Sequence, residues 1–418
     1  MFALVDANSF YCSCEQVFRP DWRGKPVVVL SNNDGMVVAA NRQAKEAGIP
    51  KFVPYFQIRD LCQKKGVIAL SSNYELYADL SAKMMQIIGR FAPEQYVYSI
   101  DESFLSFARC YPAITCLKKQ AQTIRRAVWK EARLPVCVGI GSTLTLAKIA
   151  NHAAKKISGY AGVCVIDSEP QRLAILQQMP VGEVWGIGRR LSAKLTLMGI
   201  TTAAQLAAMP PGLARKQFSI EIERTVRELN GQVCKQWDET RADKQQIFST
   251  RSVGERITDI DALQQALCKH AGIAAAKARQ QGSSCKSMLV FASNSPHDER
   301  PVSYKAVVQF PCPTASTAEI TAAVSRVLPQ VFRLGVRYYK IGVGLIELMP
   351  NKHIQYDLFH APTENPALMQ TFDKLNQRYG SDCIFMAAQG IEHKWAMRRD
   401  KLTPQYTTKW MNLPKVQC

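Results

Sequence analysis

The stretch Tyr96–Phe107, YVYSIDESFLSF, restricts the fold more than any other part of the chain. Its aromatic and β-branched residues fall into two short runs, YVYSI and FLSF, and such residues favour extended backbone. Two adjacent carboxylates, Asp101 and Glu102, separate the runs. Neighbouring side chains in a regular strand point to opposite faces. The pair can therefore share one ligand only where a tight turn or bulge bends the backbone. A hairpin with an acidic tip at the edge of a sheet meets that requirement.

A third carboxylate stands in a similar setting at the N-terminus. Met1 to Val5 is an apolar strand, and Asp6 comes directly at its end. Two strands of this kind, side by side, would gather Asp6, Asp101 and Glu102 at one rim. Like charges raise each other's pKa, and a divalent cation removes that cost. Magnesium takes oxygen ligands, typically one or two carboxylates with water and substrate phosphates. Two such ions can activate a hydroxyl and hold a leaving pyrophosphate. Taken alone, an Asp-Glu pair at a strand end is more often two solvated acids.

Composition narrows the partner. At 418 residues the chain is long enough for two to four domains, and its 47% hydrophobic content can build a sizeable core. The formal charge of +19 favours a polyanionic partner, with an anionic membrane surface as the rival. No apolar run is long enough to cross a bilayer, and MFALVDANSF lacks the basic start and long apolar core of a signal peptide. A cytoplasmic protein is expected. The thirteen Cys are scattered without a CxxC, which argues against a zinc ribbon and a disulfide framework. Cys12 and Cys14 read as reduced thiols, and the dispersed His suggest no metal site.

The order of segments suggests an α+β multidomain chain. MFALVDANSFYCSC is a strand turning into a helix, with Phe10 and Tyr11 shortly after Asp6. A bulky ring under a sugar beside a metal site would block a 2′-hydroxyl, although both rings also suit a helix core. Residues 19–75 form a compact subregion with a buried strand, GKPVVVLSNN, and a helix carrying Arg42 and Lys45 on one face. YELYADLSAKMMQIIGRF has helical spacing of apolar residues. LPVCVGIGS is a buried strand, followed by the helix TLTLAKIANHAAKK, whose Lys148, Lys155 and Lys156 could approach a phosphate. In VWGIGRRLSAKLTLMGI, the turn at Gly186 and Gly188 with Arg189, Arg190 and Lys194 fits a helix–hairpin–helix gripping a nucleic-acid backbone through its amides. Residues 236–246 read as a linker. Residues 247–348 suggest a βαβββαβ-like domain with a four-stranded sheet, on which Arg251, Arg256, Lys286 and Lys305 could meet phosphates. Residues 349–418 read as a less ordered tail, with QYDLFH as a short docking motif.

DANSFYCSCE, NNDGMVVAANRQAK, SSNYELYADLS, YSIDESF, VGIGSTLTLAKIANHAAKK and VWGIGRRLSAKL, in this order, resemble the Y-family DNA polymerases. Within that family the likeness is to the UmuC branch, the catalytic subunits of bacterial DNA polymerase V, and it covers nearly the whole chain. The resemblance implies a right-hand polymerase with a palm (1–10 and 75–166), fingers (11–74), a helical thumb (167–235), a linker (236–246), a little finger (247–348) and a partner-binding tail (349–418). It makes Asp6, Asp101, Glu102 and the Ala7 backbone carbonyl the ligands of two magnesium ions, and Tyr11, with Phe10 beside it, the gate against ribonucleotides. Lys45 and Lys148 become the triphosphate cations. A hydroxyl residue common in the family six positions before Lys45 is Ala39 here. Gln355, Leu358 and Phe359 resemble a sliding-clamp motif. Implied partners are primer–template DNA, dNTP, a UmuD′-like dimer, RecA and the clamp. The implied function is error-prone translesion synthesis in the SOS response, in the bacterial cytoplasm at the nucleoid. A catalytically degenerate DNA-binding accessory protein is the alternative, opposed by the intact acidic triad. A nucleotidyl cyclase is opposed by the helix–hairpin–helix and the basic charge.

Overall fold

A computed structural model describes residues 1–108, 110, 114–237, 243–353, 365–391 and 395–414. The chain forms two compact units, Met1–Arg241 with Lys401–Cys418, and Ala242–Asp400.

The first unit opens with β1 (Phe2–Ala7) and α1 (Phe10–Phe18). Between them Ser9 adopts a left-handed conformation (φ 46°, ψ 49°) and donates its hydroxyl to the Ala40 carbonyl at 3.2 Å. That turn takes the chain from sheet to helix within two residues. A small sheet follows, ordered β3-β2-β4, from β2 (Val27–Leu30), β3 (Val37–Ala40) and β4 (Ile68–Ser71), with α2 (Arg42–Glu46) and α3 (Tyr55–Lys64). The unbroken Val-Val-Val-Leu of β2 is buried throughout, as a strand covered on both faces requires. Next, α4 (Tyr74–Gly89) is capped by Asn73, whose Oδ1 accepts from the Leu76 amide at 3.4 Å.

The larger sheet is ordered β5-β6-β1-β7-β8. It adds β5 (Glu94–Val97), β6 (Glu102–Ser106), β7 (Val136–Gly141) and β8 (Val163–Val165), with α5 (Leu117–Ala132) and α6 (Leu144–Lys156) between them. Alternation along β1 divides its apolar residues. Ala3 and Val5 join one core with Met84 of α4 and Ile124 of α5, whereas Leu4 packs with Phe104 and α6 residues Leu144 and Ala147. Helix α6 lies so close to β7 that a Cβ on Gly139 would stand 2.0 Å from the Asn151 amide nitrogen. Five helices complete this part, α7 (Glu169–Gln178), α8 (Arg189–Leu197), α9 (Ala203–Ala207), α10 (Pro211–Gln217) and α11 (Ile220–Leu229), around a core that includes Leu176, Leu195 and Val226.

The second unit contains β9 (Ile247–Ile257), α12 (Ile260–Gln281), β10 (Ser283–Ser293), β11 (Ser303–Thr314), α13 (Thr317–Val331) and β12 (Tyr338–Pro350). Its sheet is fully antiparallel, ordered β11-β10-β12-β9. The expected four-stranded sheet is present, and the element order is βαββαβ in place of the βαβββαβ-like order expected. The stretch expected to be a loose tail differs more. It carries α14 (Pro366–Tyr379), tied to α12 by an Arg279–Asp373 ion pair at 2.7 Å. Met369 is the buried residue of α14, although Leu368, Phe372, Leu375 and Tyr379 recur at helical spacing along it. From Lys401 the chain belongs to the first unit.

No helix among the described residues is long and apolar enough to cross a membrane. Every described cysteine is a free thiol, and Cys12 and Cys14 are buried in the core.

Candidate active site

The antiparallel register of β1 and β6 sets Asp6 directly opposite Glu102. The turn before Glu102 is closed by the Tyr98 and Ser99 amides, which donate to the Glu102 carbonyl at 3.0 and 3.2 Å. The Ala7 amide donates to the Asp101 carbonyl at 2.9 Å, binding the two strand ends together. The acidic tip thus forms as expected, but β6 is an interior strand and β5 is the edge. An interior place lets β1 hold Asp6 against the tip. Ser99 Oγ donates to Asp101 Oδ1 at 2.7 Å and lies 3.4 Å from Glu102 Oε2.

Two lysines of α6 neutralise this rim. Lys155 Nζ is 2.6 Å from Asp6 Oδ1, and Lys148 Nζ is 2.7 Å from Glu102 Oε1. They are seven residues apart, two helical turns, and so share a face. Between them Asn151 donates to the Leu4 and Cys137 carbonyls at 3.3 and 3.0 Å, fixing α6 on the sheet. Burial pushes the Asp6 carboxyl up to about 6; Lys155 pulls it back, and Glu102 and Asp101 push it further. Lys148 is also ringed by Tyr98, Trp185 and Phe104, at 4.4, 5.3 and 5.9 Å from the ring centroids. The motif reading assigns Lys148 to the triphosphate and leaves Lys155 among the basic residues of the helix. The i, i+7 spacing was the available signal for Lys155.

Lys45 on α2 is exposed, and its pKa is lowered by partial burial and by Lys51, Lys156 and Lys155. It therefore shares a field with the α6 lysines, and an anion would relieve their repulsion. Arg42 instead pairs with Glu46 at 2.7 Å. Ala39 is a core residue.

Tyr11 lies flat against Tyr77, with centroids 4.8 Å apart and planes at 20°, and meets Tyr74 edge-on at 5.9 Å. Burial and then the charges of Tyr74, Asp101 and Cys14 raise its hydroxyl pKa. Phe10 is buried in the core, 5.9 Å from Tyr11. Of the two rings, Tyr11 is half-buried and Phe10 is buried.

Among the described residues, no three His, Cys, Asp or Glu side chains close on a common point as a metal cage. The three rim carboxylates nevertheless supply only hard oxygen donors, and the raised pKa of Asp6 comes first from its burial, with Glu102 and Asp101 adding to it. That donor set fits a hard divalent cation such as magnesium.

The remaining candidates lie elsewhere. Gly186 has φ +90°, and Gly188 opens α8 without a side-chain cap. Arg189 and Arg190 are exposed beside it, while Lys194 donates to the Gln217 carbonyl at 3.0 Å. In the second unit Arg256 is held by Asp298 at 2.7 Å, and Arg251 is half-buried on β9. Gln355, Leu358 and Phe359 lie outside the described residues.

Comparison with known proteins agrees with this geometry. Family models for the impB/mucB/samB family and its C-terminal domain match residues 5–152 and 244–358, and a domain of unknown function matches residues 366–416. Protein UmuC of Salmonella typhimurium is 42% identical over the full length of both chains. DNA polymerase IV of Moorella thermoacetica is 27% identical, covering 92% of this chain and 94% of its own. Among solved structures, a Y-family DNA polymerase chimera of Dbh and Dpo4 superposes with a TM-score of 0.63 at 18% identity, covering 84% of this chain and all of its own. The chain thus has the α+β fold of the Y-family DNA polymerases and belongs to the impB/mucB/samB family.

Proposed function

We propose that this DNA-directed DNA polymerase performs error-prone translesion synthesis, adding dNTPs to a primer 3′-hydroxyl opposite damaged template bases. The observation that carries the reading is the β1–β6 register, which brings Asp6 and the Asp101–Glu102 turn to one rim beside Tyr11 and the α6 lysines. Asp6, Asp101, Glu102 and the Ala7 carbonyl would hold two magnesium ions, which supply activation of the 3′-hydroxyl and neutralisation of the leaving pyrophosphate. Lys155 and Lys45 are the cations we assign to the triphosphate, because an anion between them relieves their mutual repulsion. Tyr11 would serve as the gate that meets a 2′-hydroxyl and selects deoxyribose, a role that its place five residues after Asp6 supports. The open amides at Gly188 and the following Arg189 and Arg190 would hold a DNA phosphate without reading a base.

The family membership supports a set of partners: a UmuD′-like dimer, RecA and a sliding clamp reached through Gln355, Leu358 and Phe359. It supports equally a role in the SOS response, at the nucleoid in the bacterial cytoplasm. Primer extension across an abasic site, with magnesium and with or without these partners, tests the reading. Extension is expected from the wild type and a loss of about a thousandfold from Asp101→Asn, the scale expected when charge stabilisation of the transition state is removed. No extension by the wild type under any partner combination, with DNA binding intact, would leave a DNA-binding accessory protein in its place.

A further inference from the structure

The C-terminal segment from Lys401 onward is polar, without helix or strand periodicity, yet it is fastened to the first unit. The Ser71 amide donates to the Lys401 carbonyl at 3.0 Å, and the Lys401 amide donates to Ser71 Oγ at 2.9 Å. The fully buried Asn73 donates to Thr403 Oγ1 at 3.0 Å and lies within 3.2 Å of the Thr403 carbonyl. Asn73 is the same residue that caps α4. Further on, Tyr406 stacks on Phe18 at the end of α1, with centroids 4.6 Å apart and planes at 15°. The segment therefore ties the start of α4 to the end of α1.

Those two helices carry the rings at the sugar position. Tyr11 is on α1, and the ring it lies against, Tyr77, is on α4. Tyr77 is fully buried and its hydroxyl donates to Glu15 Oε1 at 2.7 Å, across the same helix pair. Glu15 is also fully buried; burial raises its pKa, and the Tyr77 and Thr403 hydroxyls hold it back. Thr403 and Tyr406 thus stand behind Glu15 and Tyr77, one layer removed from Tyr11.

We propose that residues 401–413 are a strap that positions the Tyr11 ring against the incoming sugar, so that this C-terminal segment sets discrimination between deoxyribo- and ribonucleotides. Thr403 and Tyr406 are positioning residues: they touch no substrate and act through Asn73, Glu15 and Tyr77. The proposal rests on Tyr11 being the sugar gate. It also gives a role to the last part of the stretch matched by the domain of unknown function.

The test uses the full chain and compares kcat/KM for one rNTP and the matching dNTP. Tyr406→Ala removes the stack on Phe18, Tyr406→Phe keeps it, and Thr403→Val removes the hydroxyl facing Asn73 at nearly constant volume. A loss of folded enzyme lowers both efficiencies together and leaves their ratio unmoved. The ratio is expected to rise about tenfold towards the ribonucleotide in Tyr406→Ala and severalfold in Thr403→Val, mainly through a lower KM for the rNTP. Tyr406→Phe is expected to match the wild type, and Tyr11→Ala/Tyr406→Ala to go no further than Tyr11→Ala, since positions acting through one group are non-additive. A ratio unchanged in both Tyr406→Ala and Thr403→Val, with Tyr11→Ala raising it, would overturn the strap and leave the gate standing. An unchanged ratio in Tyr11→Ala would remove the gate and the strap with it.

Discussion

The two units are built from similar parts, a largely antiparallel sheet with helices packed against it, and each holds an ionisable side chain whose pKa is strongly shifted by burial. In the first it is Asp6, whose carboxyl is pushed up to about 6 by burial. In the second it is His270 on α12, 3% exposed, whose imidazole is pushed down to about 4 by burial and by Arg251, Lys269 and Lys277. The surroundings differ in kind. Asp6 has charges of both signs around it, Lys155 against Glu102 and Asp101, at the open end of a sheet. The charges that act on His270 are all positive; it shares one hydrogen bond with Ser249 at 2.8 Å and has its Nε2 among the buried atoms without a partner. The first arrangement is a site that a cation would complete. The second is a packing choice that keeps a base neutral.

Tight packing separates the units as well, and gives the largest expected effect. A Cβ at Gly139 would meet the Asn151, Ala147 and Ala150 backbone of α6 at 2.0 to 2.6 Å. At Gly344 of β12 its three nearest atoms would all belong to the Phe248 ring, the closest at 2.2 Å, and that side chain is 44% exposed and can turn outward. Gly139→Ala should cost on the order of 4 kcal/mol, in the class of rare severe substitutions, and Gly344→Ala under about 1 kcal/mol. Denaturant midpoints of the two variants measure this. Equal losses would mean that α6 can lift from the sheet, and the rim would not be held as described.

Much of the rim is legible in the sequence because it obeys local rules. Asp6 ends an apolar strand, Asp101 and Glu102 interrupt a β-rich run, and strand alternation requires a turn between those two. The pairing partner of β6 is not local, so neither its interior position nor the Asp6–Glu102 register follows from those residues. Lys155 is a middle case: helix geometry puts it on the face of Lys148, but which lysine meets which acid depends on how α6 is rotated, and Asn151 decides that through two backbone carbonyls. The strap lies at the far limit. Asn73 and Thr403 are 330 residues apart, and nothing in a polar, aperiodic segment announces where it packs. Helix α14 is a different case: the helical spacing of Leu368, Phe372, Leu375 and Tyr379 makes it legible, although it buries little beyond Met369.

The buried histidine should make the second unit acid-sensitive. Its folded pKa of about 4 lies below the ordinary 6.5, so the unfolded state binds the proton more readily. Its contribution is fully present above pH 6.5 and is lost as pH falls towards 4, reaching roughly 3 kcal/mol at the limit. Hydrogen exchange in peptides from β9, β10 and β12, corrected for the intrinsic rate, should show protection falling between pH 6.5 and 4.5. His270→Gln should flatten that fall. The same slope in the variant would assign the acid sensitivity to other groups and remove the contrast on this side.

Asp6 should respond in the opposite direction and by less. Its folded pKa of about 6 lies above the ordinary 3.8, so the folded state holds the proton more tightly. The penalty is absent below pH 3.8, grows as pH rises and is complete above pH 6. Asp6→Asn removes the disfavoured charge but also loses the Lys155 pair. Its net gain should therefore be roughly 1–2 kcal/mol at pH 7.5 without magnesium, and close to nothing at pH 4. Magnesium should reverse the order, because a cation that binds only the folded wild type stabilises it by mass action while the variant lacks one carboxylate. Exchange rates in peptides from β1 and β6, measured at both pH values with and without the ion, read the effect directly. A variant no more stable than the wild type at pH 7.5 without magnesium would show that Lys155 already settles the charge of Asp6. The rim would then be as passive as the histidine pocket, and the difference between a site and a packing choice would have to be sought in Asp101 and Glu102 alone.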